Sequence, residues 1–430
     1  MVRSCTSKPV LKAGVETALA IALVVSAAAT PAGAQRVAPD IGQELLRNAD
    51  VQKALAAAER NEPWVIGEQV RLCEIPAPPF KEQARAEAYR QAFQDLGLRN
   101  VRIDAEGNVL GERPGKAAGP HLVFSAHLDT VFPEGTNVHV TRDGTTLRGA
   151  GIGDDCRGLA VVLGVARAMR EANIETDGPI TFAGTVGEEG LGDLRGVRRL
   201  FGETLKGQVD RFVSVDGAGY GITNVAVGSR RYKVTFKGPG GHSYGAFGLV
   251  NPVHALGRAI AMIADLQVPA DPKTTFNVGR IGGGTSVNSI AFEAWMEIDM
   301  RSSDAGVLAS VDEKVQRAIE AALSAENARW NRGELTVERT LLGERPTGRL
   351  SDTAPAVQAA ISVTRALALP VSLDPGSTDS NIPISLGIPA VTIDGGGRGS
   401  GAHSLSESFD TANSVKGTQR ALLLAIALAR

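Results

Sequence analysis

Two glutamates stand side by side in GTVGEEGLGD, residues 184–193, directly after an apolar run. Adjacent carboxylates repel each other, and both lose hydration if the site is enclosed. Glu188 and Glu189 are therefore candidates for metal ligation or proton transfer, with a solvated strand end as the competing reading. A second pair, Asp154 and Asp155, lies in the glycine-rich stretch RGAGIGDDCRG ahead of a helical pattern. One aspartate can cap that helix by accepting orphan amide protons, but two exceed what capping requires. His127 and Asp129 in SAHLDT share one side of an extended chain, a spacing that suits a ligating imidazole and the carboxylate that fixes its tautomer. Taken alone, that histidine reads more simply as a satisfied core residue. Asp216 in SVDGAG and His403 in GAHSLSESFD complete the set.

The elements that must position these groups are legible as patterns. IGQELLRNADVQKALAAAER and KEQARAEAYRQAFQDLGL carry helical periodicity, interrupted by EIPAPPF. NVRIDAEGNVLGER, HLVFSAHLDTVF, PITFAGTV and RFVSVDG read as strands, and GLAVVLGVARAMREA as a helix between them. Helices alternating with short apolar strands predict an α/β fold with a mostly parallel sheet and helices on both faces. In such a sheet the carboxyl ends of the strands converge on one crevice. His127, Asp154, Glu188, Glu189 and Asp216 are each expected at such an end, and so much negative charge implies divalent metal. Mixed imidazole–carboxylate ligation points to zinc, with cobalt or manganese as alternatives.

The texture changes near residue 225. RRYKVTFKG alternates, NPVHALGRAIAMIADL is an amphipathic helix, and AFEAWMEIDMR alternates strictly, with Met296 and Ile298 on one face and Asp299 and Arg301 on the other. A further helix, GVLASVDEKVQRAIEAALSAENARW, and a strand, ELTVERTL, precede the return of the α/β texture in APAVQAAISVTRALAL and GIPAVTID. The expected organisation is a leader at 1–34, a discontinuous α/β domain at 35–224 and 342–430, and a smaller α+β domain inserted at 225–341.

The leader expectation rests on a basic start, the apolar stretch ALAIALVVSAAA and the small-residue ending AGA, the layout of a secretory signal peptide. An N-terminal membrane anchor is the alternative, though the apolar stretch is short for a span. A periplasmic or secreted protein without stable membrane insertion follows. With 45 basic and 47 acidic side chains and no basic run, nothing suggests a nucleic-acid partner. Beyond the leader, Cys73 and Cys156 could form one bridge or remain free thiols.

SAHLDTV, GIGDDCRG, GEEG, SVDG, GPGGHSYG and GAHSLSESFD follow one another as in the di-zinc exopeptidase and amidohydrolase family, which the chain resembles over most of its length. That family includes carboxypeptidase G, peptidase T, aminoacylase and succinyl-diaminopimelate desuccinylase. The resemblance implies Asp154 as the carboxylate bridging two metals, His127 and Asp216 completing one site, and Glu189 and His403 the other. Asp129 would orient His127, Glu188 would act as general base, and the Asp154–Asp155 peptide would be cis. The insert would be a lid and dimerisation domain whose His242 reaches a partner's active site in a homodimer. Asn288 and Arg301 would anchor substrate, and DPGSTDSN would supply Gly376 and Ser377 as further substrate contacts. Several relatives carry lysine where this chain has Cys156. The activity implied is exopeptidase hydrolysis of short peptides, or alternatively deacylation of N-acyl amino acids. A non-catalytic binding protein on the same scaffold is the reading from another class. His121, His139 and His254 match no motif and are expected to be structural.

Overall fold

Strands Ile180–Thr185, Leu122–His127, Arg211–Val215 and Ala390–Ile393 lie side by side and run parallel. The computed structural model describes residues 40–430 apart from residue 331, so the leader expected at 1–34 lies outside the described residues. Antiparallel strands extend this parallel centre. On one side lie Val109–Arg113 and Arg99–Ile103, and on the other Gly221–Ala226 and Gly348–Arg349, with Ser372–Gly376 paired parallel to Gly221–Ala226. Leu122–His127 and Ile180–Thr185 are buried throughout. They are apolar on both faces because helices cover both sides.

The larger core packs helices Ala49–Cys73, Cys156–Glu171, Pro355–Ala366 and Val415–Leu428 on one face, around Phe124, Leu163 and Leu423. The opposite face is covered by the short helices Arg195–Arg199 and Asn381–Ser385 over Phe201 and Phe212. Two sequence expectations are refined. The first helical pattern breaks at Asn48, whose side chain caps the second helix by accepting from the amides of Asp50 and Val51. NVRIDAEGNVLGER is a hairpin of two strands, because Asp104 Oδ1 accepts from the amides of Glu106, Gly107 and Asn108 and turns the chain.

Between Gly228 and Arg345 the chain builds a separate antiparallel sheet, ordered Thr274–Gly283, Glu293–Ser302, Gly228–Lys237, Thr336–Arg345. Its inner face packs Val234, Phe236, Met296 and Ile298 against helices Pro252–Ala264 and Ala305–Trp330. The outer face of the same strands carries the odd-numbered Arg231, Asp299 and Arg301. A third sheet, Arg398–Ser400, Ser408–Asp410, Thr146–Arg148 and Thr141–Asp143, brings residues 401–407 beside the turn 149–155. Among the described residues no helix is long and apolar enough to cross a membrane.

Buried arginines lock the loops at the carboxyl edge. Arg85 donates to the carbonyls of Leu128 and Ile75 at 2.8 Å each. Arg157, fully buried, donates to Gly395 O at 2.8 Å and Ser414 O at 2.7 Å and pairs with Glu62 at 3.2 Å. Removing that guanidinium leaves two carbonyls without their donor and takes the counter-charge from the half-buried Glu62, which keeps only the hydroxyls of Ser414 and Thr418. Arg157→Met should therefore cost about 3–5 kcal/mol in denaturant unfolding; a loss below about 1 kcal/mol would show the network to be dispensable.

Candidate metal centre

The parallel strands end at His127, Thr185, Val215 and Ile393, and the residues just beyond them meet at one edge. His127 turns Nδ1 to the backbone carbonyl of Asp129 at 3.1 Å and to its Oδ1 at 3.6 Å. That leaves Nε2 facing Asp154 Oδ1 at 3.0 Å and Asp216 Oδ1 at 3.8 Å. The other oxygen of Asp154 lies 3.0 Å from His403 Nε2, which is also 3.1 Å from Glu189 Oε1. One carboxylate thus stands between two imidazoles, each with a second carboxylate beside it. Ligand atoms of His127, Asp154 and Glu189 lie within 4.8 Å of one another, as do those of His127, Asp155 and Asp216.

Asp154 does not sit at a strand end, as the sequence pattern suggested. It occupies the turn between Thr146–Arg148, in the third sheet, and helix Cys156–Glu171. The turn is held from the opposite side by Glu407, a residue the sequence reading did not single out. Its carboxylate accepts from the amides of Gly153 (2.7 Å), Gly151 (3.0 Å) and Asp154 (3.0 Å). The adjacent aspartates divide their work. Asp155 caps the helix, accepting from Gly158 N, and also accepts from His127 N, both at 3.0 Å. Gly158 permits that approach, since a Cβ there would lie 2.1 Å from Asp155 Oδ1 and 2.3 Å from the Val215 carbonyl. The Asp154–Asp155 peptide is cis, as the resemblance implied.

Asp129 does more than face His127. Its two oxygens accept from the amides of Glu188 at 3.0 Å and Glu189 at 2.8 Å, so one buried carboxylate fixes both glutamates. The glutamates then diverge. Glu189 faces His403, whereas Glu188 Oε1 accepts from Arg345 Nη1 at 3.0 Å. Arg345 also donates to Ser377 Oγ at 3.0 Å and to the backbone carbonyl of Glu188. Its only sequence signal was a lone arginine in GERP, at the return from the insert. Asp379, within the DPGSTDSN loop, is buried behind this pair and accepts from Thr185 Oγ1 at 2.5 Å.

Electrostatics explains why this cluster seeks cations. Burial, reinforced by neighbouring carboxylates, pushes Asp216 and Glu188 well above the carboxylate range, and burial takes Asp379 to about 6. Hydrogen bonds to Asp154 and Glu189 raise His403 to about 10. For Asp154 burial works upward, but contacts with His127 and His403 outweigh it and hold the carboxyl below its usual range. Paired imidazoles and carboxylates with ligand atoms this close form a donor set for divalent cations.

A cavity of about 430 Å³ opens onto the cluster, and Arg231, Arg301, Arg345, Gly376 and Ser377 are among its lining. His242 and Asn288 do not line it. They lie on the insert, where Gly241–His242 pairs with Ser289–Ile290, and both are exposed. His121, His139 and His254 pair with Thr181, Glu74 and Glu326, away from this cluster. Cys73 and Cys156 are free and buried.

The chain belongs to peptidase family M20/M25/M40, whose model matches residues 123–427. That span runs from the strand bearing His127 past His403. The Bacillus subtilis protein YqjE is 27% identical over 353 residues, 77% of this chain and 90% of that protein. The succinyl-diaminopimelate desuccinylase of Nitrosospira multiformis is 26% identical over 338 residues, 74% of this chain and 85% of that enzyme. In fold the chain is similar to a tripeptidase of Staphylococcus aureus, with a TM-score of 0.71 at 23% identity, covering 86% of this chain and 99% of that one. The protein is thus a hydrolase of peptide or amide bonds.

Asp129→Asn keeps the size of the side chain but removes one acceptor from the two glutamate amides. Metal affinity, measured by competition with a chromogenic chelator, should fall roughly 10- to 100-fold. Unchanged affinity would show that His127 and the glutamates hold their places without it.

Proposed function

We propose that this family member is an exported, zinc-dependent exopeptidase that hydrolyses the amide bond of short peptides bearing a free carboxylate. The observation carrying the reading is the placement of Asp154, one oxygen toward His127 and the other toward His403, with Glu188 beside them but held by Arg345. His127 and Asp216 would hold one cation, Glu189 and His403 the other, and Asp154 both. Cations held there would supply Lewis-acid polarisation of the amide carbonyl and acidify a nearby water. The remaining work falls to the chain. Glu188 takes a proton from water and hands it to the departing amine, a role suited by its raised proton affinity. Arg345 orients that carboxyl group and favours its ionised form before substrate enters.

Arg301 extends from the outer face of the insert into the cavity and would take the substrate carboxylate, with Gly376 and Ser377 alongside. His242 and Asn288 are exposed and do not line this chain's cavity, which fits a role across a homodimer. Exposed Tyr244, Phe247 and Val287 on the same part of the insert support such an interface. Export is supported by the leader pattern at residues 1–34. Deacylation of an N-acyl amino acid is the second reading, favoured by the similarity to a desuccinylase.

Glu188→Gln should retain zinc, measured by elemental analysis, while turnover of a dipeptide panel falls about 10²- to 10⁴-fold. Turnover near the wild-type rate would remove Glu188 from the mechanism. Dialysis against a chelator should abolish hydrolysis, and added zinc should restore it; activity that survives complete metal removal contradicts the reading.

A further inference from the structure

Arg231 lies on strand Gly228–Lys237, directly opposite Asp299 on the neighbouring strand. Its Nε donates to Asp299 Oδ1 at 2.7 Å, and Arg301 Nε donates to Asp299 Oδ2 at 2.7 Å. One carboxylate therefore serves two guanidinium groups and leaves one positive charge unmatched. Arg231 Nη1 donates to the backbone carbonyl of Gly190, the residue after Glu189. Among the described residues, no hydrogen bond is made by Nη2 of Arg231 or by either Nη of Arg301. Both arginines line the cavity that reaches Glu188, Glu189 and His403. Arg345 also lines the cavity, but its charge is already matched by Glu188 and its Nη groups are taken by Glu188 and Ser377, leaving only a buried Nε without a partner.

We infer that Arg231 is a specificity-determining residue that, with Arg301, grips a single carboxylate of the substrate. The inference rests on the amide-hydrolase reading of the cavity and adds a second residue to it. The charge count fits one carboxylate, because a monoanion neutralises the pair. Arg231 is the more enclosed partner, its side chain 10% exposed against 42% for Arg301, so its contact with an anion is less screened by water. Its tether to Gly190 also fixes how far the gripped carboxylate stands from Glu189. The pair thereby acts as a ruler, selecting substrates whose free carboxylate lies close to the scissile amide. Amidated or longer analogues place no anion there and leave the positive charge unmatched.

The test compares an N-acetyl amino acid and a dipeptide with their carboxamides, using zinc-loaded wild type, Arg231→Met, Arg231→Lys and Arg301→Met. Arg231→Met should raise KM for the acids roughly 10- to 100-fold and depress kcat/KM on the acids far more than on the amides. Arg231→Lys, which keeps the charge but loses the fork, should recover part of the preference. If Arg231 merely braces the Gly190 loop, Arg231→Met will lower kcat on acids and amides alike, and the inference fails. Should wild type cleave none of these compounds, the hydrolytic reading is at fault, and calorimetric binding of the N-acetyl amino acid judges the inference separately. Binding weakened at least about 10-fold in Arg231→Met sustains it, and equal binding overturns it.

Discussion

The site depends on one carboxylate shared between two imidazoles. Asp154 places an oxygen 3.0 Å from His127 Nε2 and the other 3.0 Å from His403 Nε2, while Asp216 and Glu189 stand beside them. Burying so many acidic groups together is unfavourable unless positive charge accompanies them. The carboxylates raise the proton affinity of both imidazoles, and divalent cations would supply the missing positive charge. The surrounding fold can be understood as the means of holding this cluster together against its own repulsion.

That support comes from surrounding charged groups, each of which ties a residue of the cluster to a different element. Glu407 collects three amides of the turn bearing Asp154, and Asp129 collects the amides of both glutamates. Arg345 reaches across from the end of the insert to hold Glu188. Because Arg345 and Arg231 both belong to the insert's strands and both touch the Glu188–Gly190 segment, the insert and that segment share one hydrogen-bonded junction. Any shift of the insert would be felt directly by the proposed base.

Much of this was readable from the chain. The four parallel strands announced themselves as apolar runs; His127 ends one of them, and Asp216 and the glutamate pair follow two others, because chemistry collects at carboxyl edges. The strict alternation around Asp299 and Arg301 correctly separated the insert's inner and outer faces. Asp154 misled, since its turn belongs to a small sheet whose strands, of three residues each, are too short to leave a periodic signature. That sheet also carries His403 and Glu407 to the site, so neither placement could be derived from periodicity. Arg231 and Arg345 escaped notice for a different reason. An arginine on an alternating strand looks like ordinary surface charge until the fold shows what it faces.

The central claim is that this cluster holds two divalent cations bridged by Asp154. Anomalous diffraction from crystals of the zinc-loaded protein, collected on either side of the zinc absorption edge, tests it most directly. The account predicts two resolved peaks flanking the Asp154 carboxylate, one beside His127 and Asp216 and the other beside Glu189 and His403. A single peak, or peaks away from Asp154, would contradict it.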